Sequence, residues 1–421
     1  MIIITPKEFI DSLNNFIAHK NNHDIQTLIV NLDKIYTGLY FNQEGRDNPE
    51  KIKIFIRNAI EEWSIDYVLF IGSSKHIPIR FCYNNDNFSN YPEPKFVSEL
   101  YYADIYDEEG EFSSWDFDND GIFGEWNGEQ AEDKNIDLKP DVCVGRLACQ
   151  NIAEVQTVTK KIMSYENTKA DASWFKRMIV AGGDTYRKFE GYEGEISNQR
   201  ALDEMIGFNP VKLWVSNDML DKNGLSIIQE LNKGCCFIYF SGHGNTNLWA
   251  TYNSESEMVG QFDRYKMRFL YNGVKLPVCI VGACHNSQFT VSKNKVVKLF
   301  KPISPMLLKP EAKSCWSWKL VKNNKGGSIA TIGSTGLSWY NAEYNSAGTD
   351  WVNVQFFKEY SNGVRNIGEL WKNSISKFVD ENPIKWDTLS GSADSIDAKT
   401  IQQWVLLGDP SLMIGGYTNY L

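Results

Sequence analysis

Short apolar runs alternate with amphipathic stretches along this chain, and their order predicts alternating strands and helices. Ile2 to Thr5 is the first run, and Pro6 then opens a helix with Phe9, Leu13, Phe16 and Ile17 on one face. Leu28 to Leu32 predicts a second strand. Asn48-Pro49 reads as a cap followed by proline at the first helical position, ahead of a stripe of Ile52, Phe55, Ile56, Ala59, Ile60 and Trp63. Tyr67 to Ile71 is a buried strand that stops at Gly72-Ser73-Ser74. Strand, helix, strand in this order predicts a parallel sheet. Residues 82–140 break the pattern. They are rich in Asn, Asp, Glu, Tyr and Pro without an apolar period, which predicts an extended surface excursion. Val142 to Arg146 returns to a core strand. A helix follows, with Ile152, Val155, Val158, Ile162 and Tyr165 at helical spacing. It ends near Asn167, so a subdomain boundary is placed near 170, giving α/β subdomains 1–170 and 171–421.

The second half alternates again. Strands are predicted at Met178 to Gly183, Val211 to Val215, Ser328 to Ile332 and Trp404 to Leu407. Helices are predicted at Ile196 to Ile206, Leu225 to Leu231, Cys315 to Val321, Phe356 onward and Asn366 to Val379. Two further runs stand out. Phe237 to Phe240 is too short for a buried helix and rich in aromatic and β-branched residues, so it predicts a buried strand. It is followed by Ser241-Gly242-His243-Gly244, which puts an imidazole on a tight turn at the carboxyl end of a core strand. Val278 to Val281 repeats the design and leads into Gly282-Ala283-Cys284-His285-Asn286. His243 and Cys284 lie 41 positions apart, enough for the crossover that neighbouring parallel strands need. If those strands are neighbours, a thiol and an imidazole emerge side by side. That is the activated nucleophile of cysteine hydrolases.

Composition narrows the function further. A chain of 421 residues with 42% apolar and 13% aromatic content is globular and large for one core. A net charge of −10 argues against a nucleic-acid surface. The eight cysteines show no CxxC pair and no zinc spacing with histidine, and Cys143, Cys235, Cys236 and Cys279 fall in apolar runs as small buried hydrophobes. No run is long enough to span a membrane. Met1-Ile-Ile-Ile4 is too short and lacks the basic flank of a signal peptide.

The apolar strand–His-Gly and apolar strand–Ala-Cys pieces resemble the caspase–gingipain group of cysteine peptidases. The closer resemblance is to the gingipain-like family C25. It is carried further by Asp141-Val-Cys-Val-Gly-Arg146, Gly191-Tyr-Glu-Gly-Glu195, Ile329-Ala-Thr-Ile-Gly-Ser-Thr-Gly336 and Leu407-Gly-Asp-Pro-Ser-Leu412, in the family's order. The resemblance implies two side-by-side, mostly parallel α/β subdomains and a cysteine endopeptidase acting on protein or peptide substrates. It also implies a pro-segment or further domains in a longer chain, and an exported or cell-surface setting. Cys284 is then the nucleophile and His243 the base and acid, with the N–H groups of Gly244 and Cys284 as oxyanion donors. Glu195 matches the acidic residue that orients the imidazole, with Asp184 and Glu193 as alternates; its place at a helix start would also favour a carboxylate. Arginine-directed gingipains carry an acid eleven positions further on, where this chain has Ile206; Asp203 and Glu204 are close by, and a gap in the match could bring one of them to that pocket. His285, the stretch Asn286 to Phe289 with Ser287 in it, and the stretch Leu337 to Tyr340 with Trp339 as a lid are expected to line the substrate cleft.

A second constellation is Asp116-Phe-Asp118-Asn-Asp120-Gly121-Ile122-Phe-Gly-Glu125. Alternating carboxylates around a glycine turn suit Ca2+, with Asp116, Asp118, Asp120, Ile122 through its carbonyl, and Glu125 as expected ligands. The twelfth loop position is Asn127, so the second half departs from the EF-hand pattern. No organic cofactor is expected. Two rival readings remain: a transpeptidase or sortase-like acyl transferase on the same dyad, and a binding module on an inactive peptidase fold.

Overall fold

The computed structural model describes residues 1–42, 44–87, 92–134, 136–186, 191–290, 314–340 and 348–417. Its first sheet is built from β1 (Ile2–Thr5), β2 (Leu28–Asn31) and β3 (Tyr67–Ile71). After a hairpin of β4 (Arg80–Tyr83) and β5 (Lys95–Ser98), the chain adds β6 (Cys143–Leu147). The order is β2-β1-β3-β6, all parallel. The second sheet holds β7 (Arg177–Gly182), β8 (Asn209–Trp214) and β9 (Phe237–Ser241). A small antiparallel sheet follows, of β10 (His243–Gly244), β11 (Leu248–Tyr252) and β12 (Met258–Asp263). Then β13 (Val278–Gly282), β14 (Ala330–Ser334) and β15 (Trp404–Leu407) complete the second sheet in the order β15-β14-β13-β9-β7-β8. Only β15 runs antiparallel in it. This is the expected α/β, mostly parallel architecture.

The apolar runs became strands because both sheet faces are covered, so every residue of β9 is buried and β13 is buried up to its last glycine. Boundaries moved by a residue or two. The helix Asn48–Trp63 is capped by Asp47, whose side chain accepts from the Glu50 N–H, so the cap sits one residue earlier than Asn48. The segment after Pro6 is a 3-10 turn, Lys7–Leu13, followed by a helix Asn14–Asn21.

The larger departure is the stretch expected as a surface excursion. It is packed: Tyr101, Tyr102, Trp115 and Trp126 are all at most 1% exposed. Its aromatics join one continuous apolar cluster that also takes in Ile3, Phe70, Met178, Phe237, Ile332 and Trp404, so the core runs across position 170. Aromatic side chains spaced without a period bury through loops, which a search for helical or strand periods does not detect. The C-terminal helix Ala393–Gln402 closes on the hairpin, with Lys399 donating to Asp86 at 2.8 Å and to the Glu93 carbonyl at 2.8 Å. No helix among the described residues is long and apolar enough to cross a membrane.

Candidate active site

β9 and β13 are parallel neighbours, and Gly282 pairs with Ser241 at their carboxyl ends. His243 and Cys284 each follow two residues later, so the register itself delivers both side chains to the same edge. The turns they occupy touch. A Cβ at Gly244 would lie 2.9 Å from the Cys284 carbonyl oxygen and 2.0 Å from Asn286 Oδ1, so only glycine fits there. Asn286 fastens the two turns together, donating from Nδ2 to the carbonyls of Asn245 (2.7 Å) and Leu248 (3.0 Å).

Cys284 is the single half-exposed cysteine; the other seven are buried. Burial pushes the thiols of Cys82, Cys143 and Cys315 up to about 12, which leaves them inert at neutral pH. The Cys284 sulfur lies against the main chain of Ser338, whose N–H approaches it at 3.4 Å and whose carbonyl is 3.6 Å away. The wall expected at 337–340 is therefore at the nucleophile, and the half-exposed Trp339 follows Ser338 directly.

The imidazole of His243 is held on two sides. Its Nε2 lies 2.8 Å from the Thr185 carbonyl, and its ring meets the Tyr252 ring edge-on at 5.3 Å. A carbonyl only accepts, so Nε2 carries the proton and Nδ1 is the nitrogen left to exchange one. The Thr185 segment is fixed by Glu193, whose Oε2 accepts from the N–H of Thr185 (3.0 Å) and of Tyr186 (3.3 Å). Tyr186 donates from its hydroxyl to the Tyr340 carbonyl at 2.9 Å, and Tyr340 donates to the Glu193 carbonyl at 2.7 Å. Glu193, Tyr186 and Tyr340 thus brace the imidazole's carbonyl partner against the wall beside the thiol.

Several expected site residues lie elsewhere. Glu195 begins the same helix, Glu193–Glu204, but its carboxylate accepts from the N–H and the hydroxyl of Ser216. Burial raises its pKa. Asp203 is exposed and accepts from Gln199 of its own helix, and Ile206 is 91% exposed, so neither forms a pocket floor. His285, Asn286 and Ser287 are buried rather than lining a cleft. They turn inward because the chain leaves β13 by a left-handed turn, with φ +56° at His285. Their partners are Glu93, the histidine-loop carbonyls, and the Ser317 hydroxyl at 2.8 Å. Thr185 and Tyr252 were missed by sequence reasoning: Thr185 acts through a backbone carbonyl that any residue type could supply, and the Tyr252 ring reaches His243 from a neighbouring strand that no local pattern ties to it.

In the acidic loop, one carboxylate oxygen from each of Asp116, Asp118 and Asp120 lies within 4.8 Å of the others. Asp116 is buried and meets Arg46 Nη1 at 2.6 Å. Glu125 and Asp133 are pushed up to about 7, first by burial and then by neighbouring carboxylates, in Asp133 against opposing bonds from the Glu125 and Phe117 N–H groups. The donor set is all hard oxygen with excess negative charge, which fits Ca2+. Ile122 donates its N–H to Asp120 at 2.7 Å.

A parallel sheet with a histidine turn and a half-exposed cysteine at adjacent carboxyl ends defines an α/β protein with a cysteine-hydrolase type of site. The chain belongs to peptidase family C25, a family of cysteine peptidases, whose model matches residues 1–415. It is 21% identical over 427 aligned positions to gingipain R2 and to gingipain R1 of Porphyromonas gingivalis, covering 98% of this chain. That match takes in 46% of gingipain R2 and 34% of gingipain R1, so the chain spans about half or less of these curated relatives. Two solved structures share the fold: the Arg-specific cysteine proteinase gingipain R, and the complex of Porphyromonas gingivalis RgpB pro- and mature domains. Each gives a TM-score of 0.66 at 19% identity and covers 98% of this chain, and 78% and 79% of those chains respectively.

Proposed function

We propose that this chain is a cysteine endopeptidase in which Cys284 is the nucleophile and His243 the general base and acid. The observation that carries the reading is the parallel register of β9 and β13, which brings the two residues to one edge with their turns in contact. The Cys284 thiol gives its proton to Nδ1 of His243, and the sulfur attacks the scissile carbonyl. The N–H groups of Gly244 and Cys284 are the oxyanion donors in this scheme. As the tetrahedral species collapses, the C–N bond breaks and the imidazolium returns its proton to the leaving amine. Water, deprotonated by the same imidazole, then cleaves the thioester, releasing the carboxylic acid and the thiol. Thr185 keeps the imidazole in the tautomer this cycle needs.

Ca2+ belongs to the same reading as a structural ion held by Asp116, Asp118 and Asp120, with Glu125 beside them. It would neutralise the carboxylates and pin the loop. RgpB of Porphyromonas gingivalis has been solved as a complex of its pro- and mature domains, and by likeness a pro-segment would cover the cleft of this protein.

Titration with iodoacetamide tests the mechanism. Loss of one equivalent of free thiol, mapped to Cys284, is expected to abolish cleavage of an unfolded protein substrate. Full cleavage by protein labelled at Cys284 would overturn it.

A further inference from the structure

The residue after the nucleophile does something the dyad chemistry does not use. His285 is 3% exposed, yet its Nε2 lies 3.0 Å from Glu93 Oε2, on the opposite half of the chain. Its backbone is left-handed at φ +56°, a conformation that costs a non-glycine residue about 1 kcal/mol or more. The strain persists because bonds fix both sides of it. The His285 N–H donates to the Gly336 carbonyl at 2.9 Å, two residues before the Ser338 main chain that touches the thiol.

Glu93 is itself anchored. Its carbonyl accepts from Lys399 at 2.8 Å, and Lys399 also pairs with Asp86 at 2.8 Å. It stands just before β5, whose Val97 carbonyl accepts from the Thr335 hydroxyl at 2.6 Å, beside Gly336. A Cβ at Gly336 would meet Phe96 of β5 at 3.3 Å, so the hairpin presses directly on the wall of the site. One rigid unit therefore holds both ends of the nucleophile's turn: its backbone through Gly336, and its side chain through Glu93.

We propose that the Glu93–His285 contact is a clamp that sets the direction of the Cys284 sulfur, which makes both of them positioning residues for the reaction. The acid comes from a segment outside the catalytic half, so the N-terminal hairpin is part of the active machinery. This rests on Cys284 being the nucleophile.

The test is a double-mutant cycle of Glu93→Gln and His285→Asn. Asparagine tolerates the left-handed turn, so that variant removes the contact with Glu93 while sparing the backbone. Each single variant is expected to lower kcat about tenfold with KM within about twofold. The rate constant for alkylation of Cys284, read by peptide mapping, should fall in parallel, and the double variant should be no slower than either single. Unfolding would expose the buried cysteines to the reagent as well, so unchanged labelling of Cys82 and Cys143 in the same peptide map separates the clamp from simple instability. Single variants within about twofold of wild type, or losses that multiply in the double, would overturn the clamp. If the wild type cuts no peptide, the peptidase reading fails, while the alkylation rates still decide the clamp.

Discussion

Glycine 244 shows how much of the site depends on one absent atom. Its missing side chain lets the histidine turn rest on the Cys284 carbonyl. Gly244→Ala is expected to lower kcat at least a hundredfold, since the new Cβ would collide with Asn286 and drive the two turns apart; steady-state kinetics on a folded, purified variant checks it. The two acids at the start of the helix Glu193–Glu204 make a sharper pair. Glu193 supports the Thr185 carbonyl that holds His243, whereas Glu195 is spent on Ser216. Glu193→Ala is therefore expected to cost about tenfold or more in kcat, and Glu195→Gln only a few-fold. The reverse order would mean that Glu195 reaches the imidazole during turnover. The meeting of the His243 and Cys284 turns was legible in sequence because neighbouring strand ends leave a pattern of apolar run, glycine and reactive residue. The support of His243 was not, because it passes through a backbone carbonyl.

At the scale of elements, the parallel strands were legible for the same reason: each is a short run buried on both faces. The helix Ala393–Gln402 was missed because only Ala398 and Ile401 of its buried residues are apolar, while Ser395, Lys399, Thr400 and Gln402 are buried polar positions that blur the helical period. Asp397 belongs to that helix. Burial, reinforced by Asp394 and Asp350, pushes its carboxyl up to about 7. The folded state thus holds this proton between about pH 4 and pH 7 while the unfolded chain releases it, so stability is lost as pH rises through that window. Asp397→Asn is expected to raise Tm by on the order of a few degrees at pH 8 and to leave it nearly unchanged at pH 4. Calorimetric melts at the two pH values provide the comparison, and equal shifts at both would contradict the assignment.

For the molecule as a whole, the acidic loop and the hairpin tie the N-terminal half into the catalytic half. Lys161 reinforces the joint, its ammonium donating to the carbonyls of Val321 (2.7 Å), Asn323 (3.0 Å) and Gly326 (2.6 Å). If Ca2+ pins the loop, chelation should lower the melting temperature of the whole protein in a single transition, and Asp118→Ala should remove that response. A melting curve that chelator leaves unmoved would reduce the loop to an Arg46-paired turn. The overall architecture could be read from the order of strands and helices. The shared core across position 170 could not, because it is made by loop aromatics whose partners lie hundreds of residues away. The central claim is that this fold cuts peptide bonds through Cys284, and the measurement that meets it most directly is a peptide-library digest read by mass spectrometry. Wild type and Cys284→Ala would be compared with Ca2+ present. Cuts that are present in the wild type and vanish in the variant are the expected result, and the residues flanking them would define the pocket; the same cuts in both proteins would contradict the account.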